Sequence, residues 1–546
     1  MKILVTILCC SSFFAVMAQP VSKVWVADNG NGTYKNPVIN ADYSDPDAIR
    51  VGDDYYMISS SFNHIPGLPI LHSKDLVNWE LIGHALLKQP PYDHFSSVQH
   101  GGGVWAPSIR YHNNEFYIYY PDPDFGIYLI KAKSISGPWS DPVMIEAGKG
   151  LIDPCPLWDD NGKVYLVHAF AGSRAGIKSI IVVKELNREG NKVISNAVMV
   201  YDGHEKDPTI EGPKFYKRNG WYYIFAPAGG VSTGWQTVLR SKNIYGPYER
   251  KIVMAQGSSA VNGPHQGAWV DTKTGENWFL HFQDKDAYGR VVHLQPMKWV
   301  NDWPVIGEDK DGDGIGNPVM VYKKPNVGKT YPVQTIPDSD EFSSATVGLQ
   351  WQWQANPQFS WAFPTPRFPQ YATEAGGILT LPAQPLPDSA INYWNAPHLL
   401  LQKFPADEFM ATTKLSFTPR REGERTGLII FGSDYAYVSL LRKKDGNYIS
   451  FSICKNADKG KEEMLTEGEK INAPVIYFRV KVLKGANCEF SYSLDGNSFK
   501  KIGDTFIAKP GRWVGAKMGL FCTGAGKTND AGFANVDWFR VEALVP

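Results

Sequence analysis

Five times along its N-terminal half the chain writes one phrase: a short apolar strand, a polar turn, and a second strand crowded with aromatic residues. The first copy, YSDPDAIRVGDDYYMISSSF from Tyr43 to Phe62, turns at Gly52-Asp53-Asp54 and leaves through a β-prone run from Tyr55 to Ile58. The second strands of the copies are marked by Tyr56, Tyr117, Tyr165, Tyr223 and Phe279, at spacings of 61, 48, 58 and 56 residues. One such hairpin cannot bury both of its faces alone. A ring of them can, and a period of about 50 residues is that of propeller blades. Three copies add a shared phrase, HSKDLVNW from His72, KAKSISGPW from Lys131 and RSKNIYGPY from Arg240, which predicts outer hairpins. Five copies predict a five-bladed β-propeller.

Helical periodicity is nearly absent over residues 19–322, which we read as that propeller. A connector containing Pro and Lys covers 323–339. From Asp340 onward strands alternate with period two, as in NYISFSI from Asn447 and YFRVKVL from Tyr477, with hairpin turns around Asp445-Gly446 and Asp495-Gly496. Residues 340–546 therefore predict a β-sandwich, and the whole chain is all-β.

At the other end, Lys2, an apolar run from Ile3 to Val16 and the exit Met17-Ala18-Gln19 have the form of a secretory signal cleaved after Ala18. The run is too short to span a bilayer, so a secreted or periplasmic protein with no membrane span is expected. Cleavage leaves Cys155, Cys454, Cys488 and Cys522, too few for a disulfide framework and expected as buried thiols. Acidic and basic side chains balance at 55 each, so no basic excess exists to hold nucleic acid. The 17 Trp fit either cross-strand packing or stacking on ring-shaped ligands.

About twelve residues before each marker, at the start of each innermost strand, stand Asp45, Trp105, Asp153, Glu211 and His265, at offsets of 11, 12, 12, 12 and 14. Inner strands surround one axis, so equivalent residues converge. Taken singly, Asp45 or Asp153 reads as a turn cap beside its proline. Three acids at matching offsets read as a site whose carboxylates hold different protonation states, the requirement of general acid and base catalysis. Asp47 has no counterpart in other blades and is expected to be structural.

The phrases NPVINADYSDPDAIRVGDDYYM, LIDPCPLWDDNGKVYLVH, IEGPKFYKRNGWYYI and GRVVHLQPMKWVNDWP resemble family 43 glycoside hydrolases, and the part from DEFSSATVGLQWQW resembles the concanavalin-A-like jelly-roll sandwich of β-xylosidase-type members. The resemblance implies cleavage of xylosides and arabinosides with inversion. It implies Asp45 as general base, Glu211 as general acid and Asp153 as the carboxylate that orients the acid and tunes its pKa. Arg290, Phe62, Trp105 and His265 are implied to line the substrate pocket, His265 also lying near a central cation or water cluster. Where relatives often carry Trp two residues after the Phe, this chain has His64. No cofactor is expected for the chemistry. Asp309, Asp311 and Asp313 resemble the start of a calcium loop, but Met320 stands where an EF-hand needs Glu, so only a surface calcium site is expected.

The reading is a secreted β-xylosidase or α-L-arabinofuranosidase acting on xylo- or arabino-oligosaccharides, with a sandwich loop from Gly519 expected over the propeller mouth. The rivals are a non-catalytic carbohydrate-binding propeller and an endo-arabinanase. A retaining sucrose- or fructan-cleaving propeller would need Asn-Asp-Pro-x-Gly and Arg-Asp-Pro phrases that the chain lacks.

Overall fold

The computed structural model describes residues 20–367, 376–524, 526 and 530–544. Five four-stranded antiparallel sheets, each with its strands in chain order, form the blades: residues 47–86, 108–147, 151–202, 214–255 and 265–306. All five aromatic markers fall on second strands, and the shared closing phrases lie where third strands turn into fourth. These second strands read as near-continuous apolar runs because neighbouring blades cover both of their faces; in Trp221–Ala228, seven of eight residues are buried.

Ring closure uses no borrowed blade strand. A separate two-stranded clasp, Thr33–Lys35 against Val321–Lys323, holds the ends. Beside it the Asn36 amide donates to the carbonyls of Leu294 and Val319, both at 2.8 Å, and accepts the Leu294 N–H at 2.8 Å.

The C-terminal part is a sandwich of an eight-stranded and a seven-stranded sheet. Its core includes Phe409, Leu428, Phe478, Val480, Phe490, Val536 and Phe539. A second cluster with Tyr393, Trp394, Tyr435, Tyr437 and Phe521 lies on the outer face of the seven-stranded sheet. The sandwich is stitched to the ring by backbone: Ile65 and Trp353 form an antiparallel bridge. Asn63 donates to the Gln354 carbonyl at 2.7 Å, and Asn356 exchanges hydrogen bonds with Gln89 at 2.8 and 2.9 Å. Cys155, Cys454, Cys488 and Cys522 are free and buried.

The signal segment 1–18 lies outside the described residues. Of the segment expected to arch over the propeller mouth, residues 519–524 belong instead to the strand Lys517–Gly524, which pairs with neighbours on both sides, and residues 525 and 527–529 lie outside the described residues. The residues that reach the mouth come just before that strand, at 511–516. No helix of the described residues is long and apolar enough to cross a membrane.

Candidate active site

The strand starts that carry the acids are locally irregular. Asp45 and Asp153 both adopt left-handed backbone, at φ 55° and 58°, a conformation that costs a non-glycine residue free energy and persists only when its surroundings enforce it. Asp153 also sits in a β-bulge between Ile152 and Cys155, and His265 begins another between itself and Gly267. A bulge re-aims the side chains at a strand end.

Asp45 is nearly enclosed. One carboxylate oxygen accepts the hydroxyls of Ser44 at 2.6 Å and Ser60 at 2.5 Å, and the other faces an Arg290 guanidinium nitrogen at 3.4 Å. Arg290 also donates to the Ser44 hydroxyl at 2.9 Å, so Ser44 relays the arginine to the acid. Two hydroxyl donors thus share one oxygen, and the arginine faces the other. The arginine is set in turn by Asp42, which accepts the Arg290 backbone N–H at 2.9 Å and, on its other oxygen, the Gly515 N–H of the sandwich at 3.0 Å.

Glu211 differs in exposure: its side chain is 35% accessible, against 8% for Asp45. His265 Nε2 lies 3.0 Å from Glu211 Oε1, while its Nδ1 is buried with no partner among the described residues. Asp153 is buried beneath and accepts the Gly212 N–H at 2.7 Å. Burial, then the nearby Glu211 charge, pushes the Asp153 carboxyl well above the usual carboxylate range. Of these two acids Glu211 is the accessible member.

Phe62 and Trp105 line one side, their rings edge to face at 6.4 Å. The approach requires Gly103, where a Cβ would stand 2.3 Å from the Phe62 carbonyl oxygen. Against Trp105 packs Trp513, a sandwich residue, the rings edge to face at 6.0 Å, and Trp513 keeps 44% of its surface exposed.

The sequence profile of Glycosyl hydrolases family 43 matches residues 34–304, and that of the Beta xylosidase C-terminal Concanavalin A-like domain matches 339–542. The chain belongs to glycosyl hydrolase family 43. This family 43 enzyme is 40% identical over 512 residues to a putative beta-xylosidase of Xylanibacter ruminicola, covering 92% of this chain and 88% of the relative. It is 29% identical to a non-reducing end alpha-L-arabinofuranosidase of Bacteroides ovatus, covering 94% and 95%. The solved GH43 BlXynB protein of Bacillus licheniformis superposes with a TM-score of 0.77 at 26% identity, covering 94% of this chain and all of that one. The chain is thus an inverting glycoside hydrolase of the xylosidase and arabinofuranosidase type.

Within the family 43 propeller the structure brings Asp45 and Arg290 into contact, Glu211 and His265 into contact, and Phe62 against Trp105. His64 is buried, its Nδ1 unpartnered among the described residues, and packs toward the sandwich. Asp47 is structural: fully buried, it accepts the Ile109 N–H at 2.8 Å and binds Arg110 at 2.7 Å, and Arg110 reaches Cys155 Sγ at 2.7 Å. These bonds tie blades one, two and three together beneath the acids. Asp309, Asp311 and Asp313 bring carboxylate oxygens within 4.8 Å of one another in a surface turn. Both Asp309 oxygens already accept N–H groups of that turn, from Gly312 and Gly314. The residues that sequence reasoning missed are Trp513, Asp42, Ser44 and Ser60.

Proposed function

We propose that this family 43 enzyme releases terminal xylose or arabinose from xylan- or arabinan-derived oligosaccharides, with Asp45 as base and Glu211 as acid. The observation that carries the reading is the contrast between two acids at one ring mouth. Asp45 is enclosed and held by Ser44, Ser60 and Arg290, whereas Glu211 is accessible and braced by His265. Asp45 takes a proton from water as the water oxygen bonds to the anomeric carbon. The bond to the leaving oxygen breaks as that oxygen takes the proton of Glu211, so the anomeric configuration inverts. Asp153, buried behind Glu211 and bonded to the N–H of the adjoining Gly212, orients the acid. Arg290 and the aromatic faces of Phe62 and Trp105 grip the sugar, and Trp513 narrows the mouth toward a pocket for chain ends. Export through the N-terminal segment is part of this proposal, as is calcium at the Asp309 turn, outside the chemistry.

The test is hydrolysis of p-nitrophenyl β-xyloside and α-L-arabinofuranoside by the parent, Asp45→Ala and Glu211→Gln, with product anomers followed by NMR. Both variants are expected to lose at least roughly 10²-fold in kcat. Undiminished turnover by Asp45→Ala, or a retained anomer, refutes the assignment.

A further inference from the structure

The sheet face that the sandwich turns toward the propeller carries two lysines without acidic partners. Lys403 and Lys517 stand directly opposite each other on the adjacent strands Leu400–Lys403 and Lys517–Gly524, so their side chains leave the same face. Lys517 is 2% exposed, and Lys403 Nζ lies 4.8 Å from the centre of the Tyr43 ring. Among the described residues no carboxylate is in ion-pair contact with either ammonium, and neither donates a side-chain hydrogen bond. The acid whose field reaches both, Asp42, spends its two oxygens on the N–H groups of Arg290 and Gly515. Propeller histidines face the pair: burial, and beyond it the lysine charges, hold His64 and His84 in their neutral forms.

Beside Lys403 lies a cavity of about 60 Å³ bounded by Tyr43, Trp79, Asn40 and Gln402, with no carboxylate in its wall. Gln402 Nε2 and Asn40 Oδ1 are buried there without a protein partner, and an amide such as that of Asn40 presents either end by turning over. The wall thus offers an ammonium, one amide donor and a second on rotation. Lys517 is buried and Lys403 half-buried, and like charges at facing strand positions repel unless something neutralises them.

We propose that this interface binds a small monovalent anion, of chloride or acetate size, held by the Lys403 ammonium and the Gln402 amide with Lys517 behind. The cavity suits such an ion, whereas a polyvalent oxyanion asks for more N–H donors than the wall provides. Lys517 lies two residues beyond Gly515, so the anion strengthens the docking that sets Asp42 and, through it, Arg290.

Thermal unfolding of the full chain at constant ionic strength, with chloride, acetate or bulky isethionate as anion, tests this. Tm is expected to rise by roughly 3 °C per tenfold increase of the bound anion above half-saturation, and to stay flat in isethionate. A response to chloride identifies a halide site and a response to acetate alone identifies a carboxylate site. Lys403→Met is expected to abolish the response, with Lys517→Met as the second variant. In bromide-soaked crystals of the parent, an anomalous peak is expected beside Lys403 Nζ, a readout that does not depend on either variant folding. Identical Tm values in all three salts, a full response retained by Lys403→Met, or, where chloride raises Tm, no bromide density beside Lys403 overturns the proposal in favour of a hydrated cavity beside neutral amines.

Discussion

Replacing Asp153 by Asn separates the charge of this residue from its shape. The carboxyl is 3% exposed and accepts a single backbone N–H, from Gly212, so its ionised form gives up water for one hydrogen bond and the repulsion of Glu211. The folded enzyme therefore keeps a proton at pH values where the unfolded chain has released it. Stability tied to this group is present near the unfolded carboxylate value, about pH 4, and is lost as pH climbs through the raised one. Each unit of elevation costs about 1.4 kcal/mol, equivalent to roughly 2–4 °C of Tm in a domain of this size. Asp153→Asn keeps an oxygen for Gly212 and removes the titration. Its Tm is expected to match the parent near pH 4 and to exceed it increasingly toward neutral and alkaline pH, while kcat falls by roughly 10². Calorimetry and pH–rate profiles of both proteins between pH 4 and 9 provide the check. A Tm difference independent of pH contradicts the charge argument.

Trp513→Ala is expected to raise KM on xylo-oligosaccharides by about tenfold with little change in Tm, because the ring is nearly half exposed and meets Trp105 only edge to face; an unchanged KM removes Trp513 from the sugar site. Asn356→Ala leaves Gln89 without both of its Asn356 hydrogen bonds and is expected to lower stability by about 2–4 kcal/mol in urea unfolding; a change below about 0.5 kcal/mol shows that docking rests elsewhere. Dialysis against EDTA is expected to leave kcat unchanged, since Asp45, Glu211 and Asp153 reside on strand starts away from the Asp309 turn; a loss restored by calcium contradicts a metal-free mechanism.

The positions of Asp45, Asp153 and Glu211 were legible because a repeat converts sequence offset into spatial equivalence: each blade is local, and its inner strand begins at a predictable step. Arg290 and Phe62 were legible only through their motifs. That His265 would touch Glu211 was half visible, since adjacency of blades four and five follows from chain order while the 3.0 Å contact depends on a bulge. Trp513 and the Gly515–Asp42 bond lay beyond sequence reasoning because they depend on how two separately patterned domains dock, and no periodicity encodes that. The expectation of a mouth loop from Gly519 has the same origin: the segment that meets the propeller comes earlier and carries Trp513 at φ 67°, a conformation unusual for tryptophan.

The hydrogen bond from Gly515 to Asp42 spans 473 residues. On the ribosome, blade one emerges first and its hairpins close at once, since their contacts are local. Asp42 must then wait through four further blades, the clasp and most of the sandwich for its second partner, and Arg290 is fully set only at that point. Catalytic competence is therefore among the last properties the nascent chain acquires, and a polypeptide released early holds its acids in a ring that lacks the final strut.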